Sequence, residues 1–149
     1  MRGNRGVGLI DVMITAMLLG MAGIIFAATF PSGLSMLRQT QETKKAVELA
    51  QKKLEQIKAL GYESLSYGNL RAANAIDEDQ AASPYIFTQV DNLDSAIPSS
   101  VGKLDISNYS ESGISGVKKI SVTINWRSGT INRSITLQTI IADKRPWGV

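Results

Sequence analysis

Between Val12 and Leu37 the chain carries no charged residue, a run of 26 positions. About 20 apolar residues in a helix cross the hydrocarbon of a bilayer. A run of this length confines the first quarter of a 149-residue chain to a helix in lipid or among other apolar helices. One acid breaks the pattern. In RGVGLIDVMI, residues 5–14, Asp11 lies inside the apolar segment, behind Arg2 and Arg5. A carboxylate well inside a membrane costs about 2.5–3.5 kcal/mol on insertion scales, less near the edge, and such groups usually have a partner.

Two ordinary readings account for part of this. A secretory signal explains the basic start, the apolar centre and the small residues Ala27 and Ala28, but the run exceeds the usual apolar region of about 7–15 residues. A plain single-span anchor explains the length and the basic flank, and leaves Asp11 without a reason. Cleavage after Gly6 supplies one. Val7 then carries a new amino group, and the same group in a neighbouring copy offers Asp11 a cation at the right depth.

Composition narrows the chemistry. Sixteen basic and thirteen acidic residues give a net charge of +3, too mild for nucleic acid to be the main partner. The chain has no Cys and no His, so it has no disulfides, thiolate or imidazole metal sites, or His-assisted nucleophiles. An enzyme would have to run on carboxylates, Lys or Tyr, and no convincing carboxylate pair is evident. The expectation is a protein that is not an enzyme and needs no cofactor, metal or small-molecule substrate.

The leader "RG" followed by "VGLIDVMITAMLLGMAGIIFAATFP" resembles the N-terminus of type IV prepilins, shared by type II secretion pseudopilins. The resemblance covers about 30 residues and implies specific roles. Gly6 matches the last residue of a leader removed by a prepilin peptidase, Val7 the N-methylated mature terminus, and Asp11 the acidic fifth position that pairs with a neighbour's terminus during assembly. Leu9 and Ile10 match the apolar pair before the acid. Val stands for the usual Phe, Gly8 for the common Thr, and Asp for the usual Glu. The implied partners are other pilins or pseudopilins, the peptidase, an inner-membrane assembly platform and, before assembly, lipid. The implied life is that of a single-pass inner-membrane protein with an extracytoplasmic head that later enters a periplasmic or extracellular filament.

The rest of the chain divides accordingly into a leader (1–6), a membrane or filament-core helix (7–30), an amphipathic continuation (31–61) and a head (62–149). Pro31 removes a helix hydrogen bond and is expected to kink or loosen the helix. Val47, Ala50, Leu54, Ile57 and Leu60 recur every three or four residues and predict one buried stripe, with Gly61 as the stop. Lys44, Lys45, Lys52 and Lys53 are expected on a solvated face rather than against DNA. Residues 62–116 show one expected strand, Tyr85 to Val90, among loops and short pieces. Asp77, Glu78 and Asp79, or Asp91, Asn92 and Asp94, offer oxygen ligands for calcium, but neither set has an EF-hand pattern and solvated loop acids are expected.

The C-terminal third alternates. Ile120, Val122, Ile124 and Trp126 fall on one face, the Gly129 segment turns, and Ile135, Leu137 and Ile141 continue one face of a second strand. The predicted fold is α+β: a long N-terminal helix, membrane-spanning then amphipathic, packed on a small antiparallel C-terminal sheet. This layout also resembles minor pilins and minor pseudopilins of the V and I types.

Overall fold

The computed structural model describes residues 8–78, 81–109 and 116–143. Helix α1 (Leu9–Leu60) is followed by a 3-10 turn (Tyr62–Ser64), α2 (Tyr67–Ala72), β1 (Tyr85–Ile86) and α3 (Leu93–Ala96). Strands β2 (Val101–Asn108), β3 (Val117–Ser128) and β4 (Ile131–Ala142) complete the described chain. Two compact units result, Met1–Thr40 and Gln41–Val149, and α1 contributes to both.

The second unit has the expected α+β layout. Its four strands run antiparallel in the order β1-β2-β3-β4. Alternation along β3 buries Ile120, Val122, Ile124 and Trp126 beneath the helix. In β4, Leu137 pairs with Val122 and Ile135 with Ile124, so the second strand lays its apolar residues along the same face. Ser128 pairs with Ile131 across Gly129 and Thr130, and Gly129 has φ +63°. A two-residue loop with positive φ at its first position is the geometry that joins right-twisted strands.

Against this sheet α1 sets Ala46, Ala50, Leu54 and Ile57, all in one core with Leu104 and the β3 residues. The observed stripe is Ala46-Ala50-Leu54-Ile57, with Val47, expected on it, only half-buried. The helix stops as expected: Gly61 takes φ +78° and its N–H reaches the Lys58 carbonyl at 3.2 Å. Lys118 Nζ lies 4.7 Å from the centre of the Tyr62 ring, which places the start of β3 beside the end of α1.

The middle of the chain departs from expectation twice. The strand expected from Tyr85 to Val90 is only Tyr85–Ile86, pairing with Leu104 and Lys103. Phe87 still donates to the Gly102 carbonyl at 3.1 Å, but beyond it the Asp77 carboxylate takes the N–H groups of Gln89 (2.9 Å) and Val90 (2.8 Å). Those donors are lost to any ladder and the chain turns into α3. The second departure is β2, eight residues where only loops and short pieces were expected. Its core-facing position 102 is a glycine, and a Cβ there would stand 2.6 Å from the Phe87 ring and 2.7 Å from Leu93 Cδ1.

Candidate functional site

In the first unit every described residue from Gly8 to Arg38 is exposed. Among the described residues, sixteen of the twenty exposed large apolar side chains lie here, from Leu9 (80 %) to Leu37 (61 %), so their apolar surface is concentrated in this segment. They surround the helix on all sides. A helix that is apolar all round is stable only when covered. Burying each such side chain is worth ~1.5–3 kcal/mol, so the segment as a whole represents tens of kcal/mol of demand for an apolar environment. Residues 9–30 at 1.5 Å per residue extend about 33 Å, close to the ~30 Å hydrocarbon thickness of a bilayer. The segment is long and apolar enough for a single membrane span.

Asp11 is the only charged residue from Gly8 to Leu37. It sits in the first turn of α1, with its Oδ2 accepting from Gly8 N at 3.4 Å and its own N–H donating to the Gly8 carbonyl at 2.9 Å. This is the reciprocal half of a capping box, a third-position acid reaching back to the cap N–H. The negative charge also lies at the favourable end of the helix dipole. A local cap is a role for Asp11 that its position in the sequence did not suggest. Gly6 and Val7 lie outside the described residues.

Pro31 stands inside α1, which is continuous from Leu9 to Leu60. Its missing N–H removes one bond of the helical ladder. Hydroxyls bond to helix carbonyls on either side of it. Thr29 Oγ1 donates to the Ile25 carbonyl at 2.9 Å and Ser35 Oγ to the Ser32 carbonyl at 2.9 Å.

In the second unit two ionisable groups are buried in the fold, Lys53 and Asp77. Lys53, expected on a solvated face, is 1 % exposed. It occupies the stripe itself, three residues after Ala50 and four before Ile57, so the helix directs its stem across the core. The ammonium uses its three donors on Asp91 Oδ2 (2.8 Å), Gln56 Oε1 (3.0 Å) and the Ala75 carbonyl (3.1 Å), and lies 5.0 Å from the Phe87 ring centre. Burial pushes its pKa below the ordinary lysine value, opposed by the hydrogen bond and charge of Asp91.

Of the loop acids, Asp77 is buried and Asp91 half-buried, whereas Glu78 and Asp94 are exposed as expected. Asp77 is 5 % exposed and accepts from Gln89 and Val90, while Asp94 Oδ1 accepts from Ser100 N at 3.1 Å. Glu78 pairs with Arg71 at 2.7 Å on the surface. Among the described residues no three Asp or Glu side chains gather as metal ligands. Asp79 lies outside those residues. The arrangement ties Ala73, Ala75 and Asp91 to the helix, and its buried ammonium has neither solvent access nor a spare donor.

The chain matches no family model, no curated protein and no solved structure.

Proposed function

We propose that the chain is a structural subunit, a minor pilin or pseudopilin, of a type IV pilus-like filament. The observation that supports this reading most is the fully exposed, all-round apolar helix with a single acid in its first turn. On this reading a prepilin peptidase cuts after Gly6 and Val7 becomes the methylated terminus. The subunit then waits in the inner membrane with its head outside the cytoplasm. An assembly platform draws it among other pilins, whose helices replace lipid around residues 9–37, and α1 bends at Pro31 as it packs. The subunit carries out no chemistry. Adhesion and motility pili, DNA uptake and type II secretion are the machines such a subunit serves.

The Gly8–Asp11 cap favours a second reading, a membrane-anchored binding or sensor domain that does not polymerise, because it gives the acid a partner within its own chain. Leader cleavage separates the two. N-terminal sequencing of protein extracted from membranes is expected to begin at Val7, and Gly6→Leu is expected to abolish that processing. A mature chain starting elsewhere removes the filament reading.

The charge of Asp11 and its cap can also be separated. Leaving one charge of a desolvated pair unpartnered costs about 3–5 kcal/mol. Asp11→Ala and Asp11→Asn are both expected to be cleaved and inserted normally, yet to be depleted in sheared filaments relative to the membrane pool. Asp11→Glu is expected to assemble. If Asp11→Asn enters filaments like the wild type while Asp11→Ala does not, the acid acts as a helix cap and not as an assembly charge.

A further inference from the structure

At the β3–β4 hairpin end, the sheet carries a cleft of about 360 Å³ that the filament reading does not use. Register places two rows of side chains across it. Val101, Asn125 and Ser134 form one, and Arg127 and Asn132 form the next, flanked by Ser99. Trp126 and Arg133 occupy the register position between the rows and also wall the cleft. Trp126 is buried on the helix side, so the two rows belong to the opposite face of the sheet.

We propose that this cleft binds an acidic saccharide, a sugar ring bearing a carboxylate. Arg127 Nε donates to the Gly129 carbonyl at 3.1 Å, a bond that leaves the two terminal nitrogens of the guanidinium for another acceptor. A planar guanidinium held in this way suits a carboxylate, which it grips with two parallel bonds. Asn125 and Asn132 each present a donor and an acceptor on one amide, the combination that matches sugar hydroxyls, which both donate and accept. Val101, 40 % exposed, gives an apolar surface for the C–H face of the ring. No acid lines the cleft, so an anion meets no repulsion there. The strands supply a rigid base, since Asn125 and Arg127 sit within the longest ladder of the sheet. The proposal stands apart from the filament reading, because the cleft lies wholly in the second unit.

The test uses the full chain in detergent micelles with its asparagine side chains labelled with ¹⁵N, titrated with digalacturonate. Saturable shifts of the Asn125 and Asn132 amides are expected, assigned by Asn125→Ala and Asn132→Ala. Arg127→Gln is expected to weaken binding at least tenfold, the effect of losing one charge-assisted pair. Lys103→Gln, a basic residue of β2 outside the cleft lining, is expected to change nothing. Equal shifts with maltose would show that the carboxylate is not read, and equal shifts with inorganic phosphate would show that the sugar is not. Either result overturns the proposal, as does the absence of a saturable shift.

Discussion

Asp91→Ala lowers the stability of the head by about 3–5 kcal/mol, the usual effect of leaving one charge of a buried pair alone. The reason lies on the lysine side of the pair. Lys53 is 1 % exposed, and without Asp91 its ammonium keeps only the neutral acceptors Gln56 Oε1 and the Ala75 carbonyl. Lys53→Met is expected to cost less, because the thioether fills the volume of the stem and the Asp91 side chain, 26 % exposed, can turn to water. In the double variant Lys53→Met/Asp91→Ala the loss should fall well below that of Asp91→Ala alone. Urea unfolding of the full chain in detergent measures all three. A Lys53→Met loss equal to that of Asp91→Ala would show that the pair itself, not the stranded ammonium, carries the effect.

The same group sets a pH dependence with a definite sign. Burial lowers the Lys53 pKa below 10.5 in the folded state, so between the lowered value and 10.5 the unfolded chain binds more protons than the folded one. The Lys53 contribution to stability therefore rises with pH across that alkaline window, and is lost as pH falls through the folded-state pKa. Other lysines and the tyrosines also titrate there, so the comparison is with Lys53→Met. The stability of the wild type relative to Lys53→Met should increase between pH 8 and pH 10.5.

Gly102→Val is the second large loss, expected at about 3 kcal/mol, the upper range for overpacking a filled core. The added Cβ would stand 2.6 Å from both Phe87 Cε2 and Cζ. The Phe87 ring is fully buried and cannot swing outward, and Leu93 Cδ1 closes the other side at 2.7 Å. Gly102→Ala is expected to lose less. Its loss should shrink when combined with Phe87→Leu, which frees the ring volume, so a double-mutant cycle on thermal midpoints gives a favourable coupling. Additive losses would place the strain somewhere other than the ring.

Both variants test features that no local pattern announces. The β3–β4 hairpin was legible because alternation is a property of neighbouring residues: Ile120, Val122, Ile124 and Trp126 repeat every second position, and Gly129 marks the turn. β2 was not legible. Of the three positions it turns to the core, Gly102, Leu104 and Ile106, the first contributes nothing to an apolar count, and its smallness makes sense only once the Phe87 ring is in place. The expected strand at 85–90 was cut short by Asp77, at least eight residues earlier in sequence and invisible to a reading of that segment alone.

The candidate site shows the same division. The sequence by itself determined that residues 12–37 carry no charge, that an apolar helix runs to about residue 30, and that Asp11 is the only charge inside it. Length, hydropathy and charge are additive along a chain and need no partner to be read. Only the tertiary structure decided that Lys53 belongs to the core, that Asp91 holds it and that Asp77 shapes the loop. A buried charge is tolerated or not according to groups 12 to 38 residues away, Asp91 and Ala75 in the case of Lys53 and Gln89 and Val90 for Asp77. The cap on Asp11 falls between the two. Gly8 and Asp11 are three residues apart and visible as a pair, yet only the helix start at Leu9 gives their spacing a meaning.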